Sequence, residues 1–288
     1  MRLRRYRVDC PTMRRATSGC SLVVVLFLLE HVAAQSAADT TTHAVQFVTV
    51  EPGVKLEVVD WGGPSEPDTR SLILLAGLSD NAHRFDPFAV KLTDRYRVFG
   101  ISRRGAGASS APSSGYGTDR LADDVLAVME ALKLQRPVLV GHSFGGAELS
   151  SIGSRHPAKV SGLIYLDGGY SYAFAPPGFK PDPPPGPEVD VPPVMRAIVT
   201  GVQQYTHIPV PALAIFAVPR RMPLNVSDAD RKQSAEMDKL TMVQADAFEK
   251  GVPTARVVRM PNAGHFVHLT NTADVLREID AFVKGLKF

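Results

Sequence analysis

Ser143 is the residue of this chain whose surroundings best suit covalent chemistry. It lies in Gly141-His142-Ser143-Phe144-Gly145-Gly146, directly after the apolar run Val138-Leu139-Val140, and a helix is expected from Ala147 to His156. Strand, sharp turn and helix form the context in which Gly-x-Ser-x-Gly marks a nucleophile elbow. The turn strains the serine backbone, and small flanking residues, here Gly141 and Gly145, let helix and strand approach closely. The hydroxyl then sits at the first turn of a helix, where free N–H groups and the dipole favour developing negative charge. A serine hydroxyl is a weak nucleophile at neutral pH and needs an adjacent base. His265, in Asn262-Ala263-Gly264-His265-Phe266, is the candidate, because it follows the last expected strand. In a parallel sheet that places it at the same edge as the elbow. Three other histidines compete. His268 lies in the following turn as a supporting residue, His142 sits inside the elbow, and His83 is placed at the pocket entrance.

The elements that must position these groups alternate. Strands are expected over Ala44–Val50, Val54–Asp60, Ser71–Leu75, Tyr96–Ile101, Val138–Val140, Val160–Leu166, Pro211–Val218 and Ala255–Met260. Ser71-Leu72-Ile73-Leu74-Leu75 is nearly continuous in apolar residues, the pattern of a strand covered on both faces. Helices are expected over Ala82–Leu92, over Thr118–Leu134, where Leu121, Val125, Val128, Met129 and Leu132 recur at helical spacing, and from Ser227 to about Lys250. Val275, Leu276, Ile279, Phe282 and Val283 mark a closing helix. This alternation predicts an α/β domain with a mostly parallel central sheet and helices on both faces. Gly168 to Pro209 breaks the rhythm: it is rich in proline, carries Tyr170, Tyr172, Phe174 and Phe179, and holds one expected helix, Val194–Tyr205. It is too long for an ordinary connection, and the strand–helix pattern resumes after it, so it reads as a lid insertion.

The chain has 288 residues, 44% hydrophobic and 21% charged, enough for one large domain with a sizeable core. Its net charge of +3 owes much to Arg2, Arg4, Arg5, Arg7, Arg14 and Arg15. Without them the remainder is mildly acidic, and no basic stripe or nucleic-acid-binding motif appears, so nucleic acid is excluded as a partner. Those arginines precede Ser21-Leu22-Val23-Val24-Val25-Leu26-Phe27-Leu28-Leu29 and then Val32-Ala33-Ala34; Met13 is an alternative start, which leaves Arg14 and Arg15 as a shorter basic region. Basic region, short apolar region and small-residue site read as a signal peptide over 1–34, cleaved after Ala34, with a linker over 35–43 and the catalytic domain over 44–288. The expected destination is secreted or periplasmic, with no stable membrane anchor after cleavage; an uncleaved anchor is the alternative. Both cysteines, Cys10 and Cys20, fall in the leader, so the mature chain is expected to hold no disulfide and no thiolate nucleophile. The glycine-rich stretch Ser102–Ser109 lacks the lysine and spacing of a phosphate-binding loop.

Gly141-His142-Ser143-Phe144-Gly145-Gly146, Arg104-Gly105-x-Gly107-x-Ser109 and Asn262-Ala263-Gly264-His265-Phe266, in this order, resemble the α/β-hydrolase superfamily over essentially all of Ala44 to Phe288. The resemblance implies a serine–histidine–acid triad and an oxyanion hole made by the backbone amides of Phe144 and Leu78. Ala76-Gly77-Leu78 stands where the superfamily often has His-Gly-x; the departure at Ala76 changes a side chain, not the amide donor. The acid departs further. Arg220 occupies its usual position after the Pro211–Val218 strand, and Asp228 and Asp230 lie further on. A variant within the superfamily takes the acid from the end of the preceding strand, where Asp167 stands. Asp167 is therefore the first choice and Asp228 the alternative.

The implied activity is that of a serine hydrolase cleaving carboxylic esters or related small-molecule acyl substrates through an acyl-enzyme. Lactonase, C–C hydrolase, amidase and haloperoxidase-like chemistry are alternatives on the same fold. So is a non-catalytic binding protein, which Arg220 would favour. No cofactor is implied. No metal cluster is read either, since His265 and His268 lack a Glu or Cys partner.

Overall fold

The apolar runs fold as neighbouring strands because each can be covered on both faces. In the computed structural model, described over residues 42–66, 68–169, 192–205, 207–222 and 226–287, eight strands form one sheet in the order β1-β2-β4-β3-β5-β6-β7-β8. The strands are β1 (Ala44–Glu51), β2 (Val54–Gly62), β3 (Ser71–Leu75), β4 (Arg97–Ile101), β5 (Val138–His142), β6 (Gly162–Leu166), β7 (Ala212–Ala217) and β8 (Ala255–Met260). The two hairpin strands are antiparallel, β1 to β2 and β2 to β4; every other pairing is parallel. The α/β-hydrolase architecture, with its mostly parallel sheet, is therefore present. The expected leader, both cysteines and the aromatic stretch from Tyr170 to Phe179 lie outside the described residues.

Successive side chains of a strand point to opposite faces, and the core follows that period. Ile73, Leu139, Leu163, Tyr165 and Phe216 bury on one side, against Val125 and Val128 of α2 (Thr118–Ala131), Leu149 and Ile152 of α3 (Gly145–Arg155) and Phe248 of α5 (Asp228–Gly251). Leu72, Leu74, Val138, Val140, Ile164 and Ile215 bury on the other, against Phe88 of α1 (Asp86–Ala89) and Val275, Ile279 and Val283 of α7 (Thr272–Gly285). Each such side chain, removed from water, stabilises the fold by about 1.5–3 kcal/mol before entropy is counted.

Two elements depart from expectation. The helix expected over Ala82–Leu92 is a 3-10 turn, Ala82–Phe85, followed by the single α-turn α1. Pro87 is the reason: it has no N–H to donate back to residue 83, so the preceding turn tightens and the α-turn starts around the proline. The helix expected over Val194–Tyr205 is α4 (Pro193–Thr200), ended by Gly201, whose N–H caps the carbonyls of Ala197 and Ile198. A further single turn, α6 (Val267–Thr270), precedes α7. Among the described residues no helix is long and apolar enough to cross a membrane.

Candidate active site

Parallel strands bring the ends of β5, β6 and β8 to one edge. At the end of β5, Ser143 takes a left-handed backbone, φ 52°, and is almost wholly buried. Its N–H donates to the Leu166 carbonyl (3.2 Å), and its carbonyl accepts from Gly146 N–H (2.9 Å), which opens α3. The turn is possible because of its glycines. A Cβ on Gly141 would lie 2.6 Å from the Gly145 carbonyl carbon, and one on Gly146 would overlap the Gly168 carbonyl oxygen. Gly146 and Gly168, which the sequence reading did not single out, are as necessary to the close approach as Gly141 and Gly145.

Asp167, at the end of β6, also has a left-handed backbone, φ 46°, and is fully buried. Its Oδ2 accepts from His265 Nδ1 at 2.7 Å and from the Arg220 guanidinium at 3.1 Å; its Oδ1 accepts from Ala217 N–H at 3.0 Å. Burial raises the carboxyl's pKa, but Arg220, the His265 hydrogen bond and the Ala217 amide outweigh it and hold it below the ordinary carboxylate value. The acid is thus an anion, and Nδ1 of His265 is committed as a donor. That leaves Nε2 as the basic nitrogen. Arg220 stands where the resemblance puts the acid, and it pairs with the acid supplied by the neighbouring strand. Asp228, the alternative, is an exposed first residue of α5 beside the Ser227–Asp230 capping box and makes no contact with His265.

The other histidines separate clearly. His142 is fully buried; its Nε2–H donates to the His265 carbonyl (3.1 Å), and the two rings lie 4.6 Å apart. It therefore joins the elbow to the His265 loop. Burial, then the neighbouring His265 and His268, push its pKa well down, so it stays neutral. His268 is buried among Phe85, Phe88, His142 and Phe266 with neither ring nitrogen bonded. Burial, with His265 and Arg84, lowers its pKa to about 3, and it serves as a core aromatic. His83, expected at the pocket entrance, turns to Asp86 and Glu57.

The oxyanion donors expected from the resemblance flank the same turn. Phe144 is the N-cap of α3, and Gly77 lies against the Ser143 Cβ, so a Cβ there would sit 3.3 Å from it. Among the described residues, neither the Phe144 nor the Leu78 N–H donates to a protein acceptor. Both side chains pack with Val194 and Ala197 against Tyr116, Leu121 and Ile198. The loop is clamped from below by Arg103. Its guanidinium donates to the carbonyls of Ala76 and Gly77 and, through Nε at 2.9 Å, to Glu148 of α3. Both residues are buried. Arg104 is likewise consumed internally by a bidentate pair with Asp124 (2.7 and 2.8 Å). The glycine-rich stretch is therefore a structural tether, not a phosphate cradle. A cleft of about 260 Å³ opens beside this loop, lined by Leu78, Asn81, Arg103, Gly105, Val194 and Ile198 among others.

Arg103 and Glu148 escaped the sequence reading because 45 positions separate them. The one available signal was a carboxylate on the first turn of a helix whose other exposed-looking positions are small.

A family model described as the alpha/beta hydrolase fold matches residues 70–205. The chain is similar to 2-(acetamidomethylene)succinate hydrolase of Mesorhizobium japonicum, 28% identical over 33% of this chain and 34% of that protein. It is also similar to the bifunctional esterase/perhydrolase DCH of Acinetobacter calcoaceticus, 35% identical over 38% of this chain and 40% of that protein. The matched stretch thus spans well under half the length of these relatives. In three dimensions it resembles the carboxylesterase CesB from Bacillus subtilis, with a TM-score of 0.61 and 18% identity over 86% of this chain and 93% of that one, a likeness of fold.

Proposed function

We propose a serine-hydrolase reaction for this chain, which belongs to the α/β-hydrolase superfamily: cleavage of carboxylic esters or related acyl compounds through Ser143, His265 and Asp167. The observation that carries the proposal is the buried 2.7 Å hydrogen bond from His265 Nδ1 to an ionised Asp167; Ser143, held in a left-handed backbone at the end of β5, is the proposed nucleophile. His265 Nε2 takes the Ser143 proton as Oγ attacks the acyl carbon. Asp167 fixes the tautomer that makes this possible and stabilises the imidazolium that forms. The amides of Phe144 and Leu78 receive the oxyanion, each donor being worth about 3 kcal/mol in the transition state. His265 then returns the proton to the leaving alkoxide, and water repeats the sequence on the acyl-enzyme.

The similarity to an esterase/perhydrolase supports an ester as substrate, and the apolar cluster around Leu78, Phe144 and Ile198 supports an apolar group on it. The non-catalytic reading rested on Arg220 in the acid's usual place; its pairing with Asp167 supports the catalytic reading. A fluorophosphonate probe tests the proposal. Labelling of wild type, and none of Ser143→Ala, is expected. An unlabelled wild type, under conditions where a control esterase reacts, sinks it.

The proposal includes export. The basic residues ahead of Ser21–Leu29 and the small residues through Ala34 support a leader removed before Gln35. N-terminal sequencing of the exported protein is expected to begin at Gln35, and recovery of the uncut chain in the membrane fraction would favour the anchor instead.

A further inference from the structure

We propose that His43, His83 and Asp86 form a zinc site separate from the serine chemistry. One imidazole nitrogen from each histidine and one Asp86 oxygen lie within 4.8 Å of one another. His83 Nδ1 and Asp86 Oδ2 are 3.2 Å apart. Two ligands of a tetrahedral zinc ion, each bound at roughly 2.0–2.1 Å, stand about 3.3 Å from each other, so this pair already has the required separation. The rings of His43 and His83 are 5.0 Å apart and tilted by 56° rather than stacked.

The surroundings are those of a built site. Ligating carboxylates are themselves held by hydrogen bonds, and ligating imidazoles turn their other N–H to a carboxylate. Asp86 is buried, and its Oδ1 accepts from Trp61 Nε1–H at 2.8 Å, which fixes the carboxylate with Oδ2 toward His83. His83 presents Nε2 to the buried Glu57, with Oε1 at 3.6 Å. In the ion-free site His83 Nδ1–H donates to Asp86 Oδ2 at 3.2 Å, and zinc would take the place of that proton, with Glu57 on the Nε2 side of the ring. His43 and His83 are half-buried, so water reaches the fourth position.

Two imidazoles and one carboxylate suit a borderline cation such as Zn²⁺ better than Ca²⁺ or Mg²⁺, which take oxygen ligands. The ion would tie the start of β1, an edge strand paired among the described residues only to β2, to the turn that follows the Leu78 loop. In a mature chain without cysteines it takes the place of a disulfide as a cross-link.

Calorimetric titration of the untagged, chelator-treated protein with zinc sulfate tests the site, with Tm followed in parallel. Expected are one saturable zinc per chain and a rise in Tm with zinc. His43→Ala should abolish both and leave ester turnover unchanged. Glu57→Gln and Trp61→Phe should each weaken binding by about 10–100-fold, the usual effect of removing a group that holds a ligand. His43 is a half-buried residue ahead of β1, so its variant keeps the test valid if substitution at Asp86 prevents folding. Absence of saturable binding to wild type overturns the proposal. So does equal binding by the His43→Ala/His83→Ala protein.

Discussion

Asp167→Asn is the substitution on which the proposed chemistry turns. The carboxylate accepts three hydrogen bonds, two at Oδ2 and one at Oδ1. An amide of the same shape cannot accept all three. With its oxygen toward Ala217 N–H, its NH₂ faces His265 Nδ1–H and the Arg220 guanidinium, donor against donor. His265 then relieves the conflict by moving its proton to Nε2, and it can no longer take one from Ser143. With the amide reversed, the tautomer survives, but a buried NH₂ meets the Ala217 N–H, an unsatisfied pair costing on the order of 1–3 kcal/mol. The first arrangement loses the base outright. In a serine protease the equivalent change lowers kcat by about 10⁴, which is about 5.5 kcal/mol of transition-state stabilisation. We expect a loss of that order in kcat for p-nitrophenyl ester hydrolysis, with KM little changed. Denaturation curves will show whether the variant is folded. Asp228→Asn, altering an exposed residue of the α5 N-terminus, is expected to stay within about twofold of wild type, since nothing in the triad touches it. Turnover of Asp167→Asn within tenfold of wild type, in a folded protein, would refute the triad assignment. Collapse of Asp228→Asn with Asp167→Asn active would move the acid to the later loop.

Two further outcomes follow from groups beside the triad. His268 has a folded pKa of about 3 against an ordinary 6.5, so between those values the unfolded chain binds a proton that the folded one refuses. Its contribution is therefore intact above about pH 6.5, and stability falls by up to about 1.4 kcal/mol per unit as pH drops below it. His268→Phe removes one proton from that slope, and chemical denaturation at neutral and mildly acidic pH should show a flatter dependence; an unchanged slope refutes the neutral buried assignment. Arg103→Met frees the Ala76 and Gly77 carbonyls and leaves Glu148 buried without its partner. We expect kcat to fall by about 10²–10³, as when one oxyanion donor is lost, with KM near wild type. A rise in KM alone would show that the clamp shapes the cleft instead.

The sheet was legible because its central strands are apolar runs of strand length, a signal that does not depend on distant residues. Ser143 and His265 were legible because tight turns demand small neighbours and because parallel strands deliver their ends to one edge. The acid was harder. Residue type at position 220 pointed away from a triad, and Asp167 at the end of β6 competed with Asp228; what supports Asp167 as the proposed acid is the set of three donors around it, which no spacing reveals. The Ala82–Leu92 segment was misjudged for a local reason that was present in the sequence, the missing N–H of Pro87. Arg103 with Glu148, and His43 with His83 and Asp86, belong to a different class. Their partners are brought together by the sheet, and their charges look like ordinary surface residues until burial is known.

The left-handed residues at the strand ends carry a consequence for anyone who engineers this protein. Ser143, Asp167 and Asn262 all hold positive φ (52°, 46° and 56°), a region in which a non-glycine residue costs about 1–2 kcal/mol. Two of these residues are in the proposed triad, and the third lies in the loop that bears His265. Selection on heat resistance alone would reward glycine at Ser143, where it relieves the backbone, whereas glycine at Asp167 would strand the three donors that bond its carboxylate. The most thermostable clones would therefore lack the proposed nucleophile, so a library built here has to be scored on turnover and stability together.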